Sequence, residues 1–138
     1  MAIIATPKAQ TTYNYVPMTE RGEKKPFTAI VKRLSTKEYT FIEDKIARFN
    51  QDQSITFNTG TFNWEIVKKG LVDWENLTDE KGKQIKIVVG SEGVLDSSLN
   101  LLPLDIITEL ATLIVNLTKD PENASMYLSE DSDETEDK

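Results

Sequence analysis

The chain has 138 residues, of which 38% are hydrophobic and 28% charged, and carries a formal charge of −7. That length fits one domain with a modest core and excludes two full ones. Cysteine and histidine are both absent. Disulfides and zinc–thiolate chemistry are therefore excluded, and the commonest neutral-pH base and transition-metal ligand are missing.

The charge is unevenly placed. Residues 129–138 hold six acids (Glu130, Asp131, Asp133, Glu134, Glu136, Asp137) against Lys138, so the remaining body carries only −2. A body this balanced has no basic face to neutralise phosphates, which disfavours direct nucleic-acid binding. The start, Met1-Ala-Ile-Ile-Ala5, is too short and too poor in basic residues for a signal-peptide core. No window reaches the ~20 apolar residues of a membrane span. The expected setting is the cytoplasm, with no membrane contact.

In chain order, residues 1–10 read as a flexible arm. Tyr13–Met18 and Phe27–Leu34 are rich in aromatic and β-branched residues and predict an antiparallel hairpin around the polar loop Thr19–Pro26. In the second of these runs Phe27, Ala29, Val31 and Arg33 share one face. Ser35-Thr-Lys-Glu38 is a capping box, in which serine and glutamate satisfy each other's backbone amides at a helix start. The spacing of Tyr39, Ile42, Ile46 and Phe49 then predicts a helix over 36–49 with one apolar stripe. Residues 54–58 read as a short strand or an extended linker. Thr61 or Asn63 can cap a second helix with Phe62, Ile66, Val67 and Leu71 on one side, weakened or ended by Gly70. Residues 72–77, the turn Asp79-Glu-Lys-Gly82 and the strand-like stretch 84–89 form a β-turn-β segment.

Residues 90–98 read as a loop. Pro103, suited to a first helical position, opens a third helix over 103–119, with Asp105 and Glu109 toward its positive end. Asp120-Pro-Glu122 can start one further short turn. The acids beyond Ser129 predict a disordered tail. The expected fold class is thus α+β: an N-terminal β-hairpin, about three helices, a short β-turn-β segment and a disordered acidic C-terminal tail. The expected division is an arm at 1–10, a single α+β domain at 11–128 and the tail at 129–138.

No catalytic, cofactor-binding or metal-binding set emerges. The glycines at 22, 60, 70, 82, 90 and 93 form no phosphate loop. A serine or threonine nucleophile would have only lysine or a carboxylate as its base. Glu43 and Asp44 fall on the solvated side of their helix. The tail acids lack the glycine-centred loop of a calcium site, and solubility is their plain role. Trp64 and Trp74 read as core by default, although tryptophan also anchors protein interfaces.

The third helix is the strongest pointer. Ile106, Leu110, Leu113 and Leu117 form one stripe, widened by Ile107 and Ile114 and flanked by Leu104 and Val115. A helix this apolar is either fully buried or presents part of its surface to another chain. With two other helices and a small sheet as cover, the six residues Ile106, Ile107, Leu110, Leu113, Ile114 and Leu117 are the expected partner-binding surface. Self-association stays open.

Three segments together resemble a known family. Phe27-Thr-Ala-Ile-Val-Lys-Arg-Leu-Ser35 leads into the capped helix. Trp64-Glu-Ile-Val-Lys-Lys-Gly-Leu-Val-Asp-Trp-Glu-Asn-Leu77 precedes the Asp-Glu-x-Gly turn, and Leu102-Pro-Leu-Asp-Ile-Ile-Thr-Glu-Leu-Ala111 opens the last helix. Over residues 27–120 this order resembles the tail assembly chaperones of long-tailed bacteriophages and related small tail-module proteins. The resemblance implies a non-enzymatic helper in the host cytoplasm that needs no cofactor. It would bind a helical tail protein, the tape measure, and keep it soluble until tube subunits polymerise. The N-terminal hairpin and its arm depart from that pattern. They leave open a structural virion protein of the tail or head–tail connector, whose arm adds a strand to a neighbour. A third expectation is a small acidic inhibitor of a host defence protein.

Overall fold

The computed structural model describes residues 11–49 and 51–128; the expected arm and acidic tail lie outside the described residues. The fold is α+β, as expected. β1 (Thr12–Tyr15) and β2 (Thr28–Lys32) form the N-terminal hairpin, with a short 3-10 turn at Met18–Glu20 in its loop. β2 also pairs antiparallel with β5 (Leu71–Glu75), giving a three-stranded sheet in the order β1-β2-β5. Between Ile30 and Val31 the register steps from Asp73 to Leu71, so Val72 is an extra residue on β5. Phe27, Ala29, Val31 and Arg33 are buried, following the alternation read from the sequence.

Helix α1 (Thr36–Ile46) starts at the capping box: Glu38 N donates to Ser35 Oγ at 3.1 Å and Ser35 N to Glu38 Oε1 at 3.0 Å. It ends at Ile46 rather than at 49. Residues Ala47–Phe49 leave the helix as β3 and pair with β4 (Ile55–Phe57), which resolves 54–58 in favour of a strand. The three-residue ladder satisfies backbone groups that the polar stretch after Phe49 could not. Helix α2 (Thr59–Gly70) begins before Thr61, because the Asn58-Thr-Gly turn is absorbed into its first turn, with Phe62 N donating to Asn58 O at 2.9 Å.

Beyond β5 the turn forms where it was expected. Asp79 Oδ1 accepts from Lys81 N and Lys83 N at 2.8 and 2.9 Å, and Gly82 sits at φ +82°. Thr78 and Gln84 make an isolated antiparallel bridge, after which 85–88 run as extended chain outside any ladder. The stretch expected as a loop is ordered instead. β6 (Val89–Gly90) and β7 (Gly93–Val94) form a tiny hairpin, followed by the short helix α3 (Asp96–Leu99). A Cβ on Gly93, which has φ +115°, would lie 2.4 Å from Lys68 O, so glycine alone lets the hairpin close on α2.

Helix α4 (Leu104–Lys119) and the 3-10 turn Pro121–Met126 complete the described chain. α4 packs on α2, on β2 and on that final turn. Its seat is sealed: Leu34 N donates to Thr118 Oγ1 at 3.0 Å, and a Cβ on Gly70 would lie 2.7 Å from two carbons of Ile114. The apolar interior is one cluster to which β2, α2, β5 and α4 all contribute. Among the described residues no helix is long and apolar enough to cross a membrane.

Candidate interface along the free edge of the sheet

The surface expected to bind a partner is inside. Ile106 and Ile107 are 7% and 3% exposed, Leu110 and Ile114 0%, Leu113 4% and Leu117 1%. The count of cover behind the expectation was too small. It used helices and sheet strands, whereas Ala124, in the turn Pro121–Met126 that packs on α4, adds to the cover, and Val94, from the stretch read as a loop, fills the same apolar cluster together with Leu99 and Leu102. Leu104 is left outside at 80% exposed, and Val115 is half-buried.

The two tryptophans divide. Trp64 is half-buried and donates Nε1 to Asp96 Oδ1 at 2.8 Å. That bond holds the Asp96 carboxyl below the usual range, opposed by desolvation and helped by Lys68. Trp74 is buried, with its ring 6.2 Å from that of Phe27. It donates Nε1 to Ile85 O at 2.8 Å. The indole therefore ties the extended chain at 85 to β5 where no backbone ladder does so.

This tie borders an open depression beside β5. β5 is the sheet's edge, bonded to β2 on one side only. Its other side faces 84–87 across an open groove of about 610 Å³, lined by Val72, Asp73, Trp74, Glu75, Lys86 and Ile87 among others. The two walls are joined at one end, where Ile85 N donates to Leu77 O at 2.7 Å. Backbone bonding resumes at Val88, whose N–H donates to Ser98 Oγ and whose carbonyl accepts from Leu95 N. Among the described residues, Lys86 and Ile87 between them join no ladder. Asp73 caps one edge group, its Oδ1 accepting from Trp74 N at 2.8 Å. Unpaired edges of this kind are templates for a further strand, and an inward charge is a common way to guard them.

A second polar cluster sits at the other side of the sheet. Tyr15 Oη donates to Glu109 Oε2 at 2.5 Å, and Met18 N donates to the same oxygen at 3.0 Å. Arg21 lies over the Tyr15 ring at 5.6 Å and donates Nη2 to its hydroxyl at 3.4 Å. Burial first, then the Glu109 carboxylate, push the Tyr15 phenol up to about 12, against the pull of Arg21. A phenol held neutral against a carboxylate pins the hairpin to α4 and is poorly suited to proton transfer near neutral pH. Among the described residues, no three acidic side chains come together to hold a metal ion. Glu43 and Asp44 are exposed, as expected.

Sequence reasoning missed the groove and the Tyr15–Glu109 pair. The pair joins positions 94 apart, for which a single sequence carries no signal. The groove did leave a trace: Gln84-Ile-Lys-Ile-Val-Val89 is strand-forming chain with no obvious partner strand. Compared with protein-family models, curated proteins and solved structures, the chain finds no match.

Proposed function

We propose that this protein is a binding factor, not a catalyst, and that it serves phage tail assembly by gripping an extended segment of a tail protein along the free edge of β5. The observation that carries the proposal is the groove itself. One wall is an edge strand, the other is strand-like chain whose backbone at Lys86 and Ile87 pairs with no strand among the described residues, and the space between is open to solvent. An extended peptide laid there gains main-chain hydrogen bonds from both walls, with alternate side chains setting its register. The tail-assembly setting rests on the ordered segments between residues 27 and 120 that resemble tail assembly chaperones. Placement in the host cytoplasm comes with that setting. The client contact moves from α4, which is buried, to the sheet edge.

The test is affinity capture of the tagged full chain from phage-infected cells, with Lys86→Pro and Lys86→Ala compared against the parent. Proline removes a donor that no internal ladder uses, so the fold is expected to persist while strand pairing is blocked. The expected result is recovery of a tail protein by the parent and by Lys86→Ala, and a loss of at least about tenfold in Lys86→Pro. Equal recovery by folded Lys86→Pro places the contact elsewhere. Stoichiometric presence of the protein in purified particles would make it a virion subunit instead of an assembly factor.

A further inference from the structure

A cleft between α1 and α2 shares no residue with the groove beside β5. We infer that this cleft receives a lysine side chain from a protein partner, its ammonium held between two aromatic rings and the Glu43 carboxylate. The inference goes beyond the groove and does not depend on it.

Helical spacing builds the site. Tyr39, Glu43 and Ile46 lie four and three residues apart, so they share one face of α1. Thr59 and Phe62, three apart, answer from the first turn of α2. Together these five residues line a cleft of about 250 Å³. The two helices are tied in place around it. Asn58 N donates to Ile46 O at 3.3 Å, and Lys45 Nζ meets Glu65 Oε2 at 3.1 Å. Ile46 is buried and Glu43 exposed, so the cleft is apolar at depth and charged at its rim.

The aromatic pair selects for a cation. The Tyr39 and Phe62 centroids are 6.0 Å apart with the rings at 87°, edge to face, which gives two perpendicular walls. Aromatic faces attract an ammonium, and Tyr39 does so within this chain. Lys119 Nζ stands 5.6 Å from its centroid, without lining the cleft. Glu43 supplies the counter-charge. Among the described residues its carboxylate forms no ion pair, whereas Glu65, Asp96 and Glu92 each meet a lysine. The helix ends do not reverse the sign. α1 brings its negative end and α2 its positive end to the cleft, each worth about half a charge, so the full charge of Glu43 decides. Lysine suits the corner better than arginine: a compact ammonium on an apolar stem can touch both walls, whereas a planar guanidinium stacks on one. The chain's formal charge of −7 also steers basic partners toward it.

The test titrates the full chain, isotope-labelled in its aromatic rings, with Nα-acetyl-lysine N-methylamide, whose only charge is the side-chain ammonium. The expected result is a saturable shift of the Tyr39 and Phe62 resonances. The norleucine analogue, which keeps the aliphatic stem without the charge, is expected to bind at least about tenfold more weakly. Glu43→Gln, at an exposed position that leaves the fold intact, is expected to weaken lysine binding about fivefold. Phe62→Leu keeps apolar bulk without the ring and is expected to cost about threefold. If Phe62→Leu unfolds, Glu43→Gln decides alone. Equal binding of the lysine and norleucine analogues would overturn the inference, as would undiminished lysine binding by Glu43→Gln. Tetramethylammonium binding more tightly than the lysine analogue would reassign the cleft to a small quaternary amine and overturn the lysine reading. Lys86→Pro is expected to leave the titration unchanged. If it abolishes the titration, the ammonium sits in the β5 groove, and the inference falls while the groove keeps its role.

Discussion

Helix α4 and the segment 84–88 are both conspicuous in the sequence, one for its apolar width and the other for its strand-like pattern. They meet opposite fates. α4 buries more side chains than any other helix among the described residues, seven in all. The segment 84–88 has a strand's composition, yet it forms no ladder, and Val88 is 51% exposed. The difference shows that apolar content marks what must be covered, whereas unpaired backbone marks where another chain can add. A helix satisfies its own peptide groups and asks only for apolar cover, which short loops can supply. Extended chain needs a neighbour for every second peptide group.

The largest expected effect breaks the comparison on the helix side. Leu110→Asp places a carboxylate at a position with 0% exposure. Burying an unpaired charge there is expected to destabilise the protein by more than about 4 kcal/mol, which would unfold many domains of this size. Urea denaturation followed by tryptophan fluorescence checks this. A soluble, normally stable Leu110→Asp protein that merely loses its partner would restore α4 as the binding surface.

Gly70→Ala is the next step down. The new methyl would sit 2.7 Å from Ile114 Cδ1 and Cγ2, forcing α2 and α4 apart or Ile114 off its rotamer. A loss of about 1–3 kcal/mol is expected. Pairing it with Ile114→Val, which removes the crowding Cδ1, should recover part of the loss in a double-mutant cycle. Simple additivity of the two changes would show that the helices do not meet at this point.

On the open side, Trp74→Phe keeps an aromatic ring against Phe27 but deletes the donor to Ile85 O. The loss, including some buried area, is expected to be about 1–2 kcal/mol. Its signature is local: hydrogen exchange over 85–88 should quicken more than exchange in α4. Uniform quickening across both regions would mean that Trp74 acts through the core alone and leaves the groove wall unaffected.

Elements with a local code were legible in the sequence. The capping box at Ser35, the turn at Asp79–Gly82, the proline-opened last helix and the alternation along β2 each depend on residues a few positions apart. The α+β class followed from them. What was not legible depended on distant pairing. The departure of 47–49 from α1 requires 55–57 as partner, and the order of 89–99 requires contact with α2 through Gly93. The candidate site failed for the same reason in both directions. Part of the cover for α4 comes from the turn Pro121–Met126, a segment without regular patterning, and the groove beside β5 is a gap between two stretches whose relative placement no local rule sets.

The smallest effect sharpens the comparison from the sheet's other edge, where β1 is anchored by a side chain instead of a neighbouring strand. Tyr15→Phe removes the hydroxyl that donates to Glu109 and is expected to lower stability at neutral pH by about 1 kcal/mol. The dependence on pH identifies the cause. The folded phenol titrates at about 12, while an unfolded tyrosine titrates near its ordinary value of 10.0. The neutral phenol is thus favoured by folding, so its contribution is fully present below pH ~10 and is lost as pH rises toward ~12. The stability gap between parent and Tyr15→Phe should therefore hold steady through neutral pH and narrow across that alkaline window. A gap that stays constant to pH ~12 would mean that the phenol is not held by burial and Glu109, and that the hairpin is anchored to α4 by apolar packing alone.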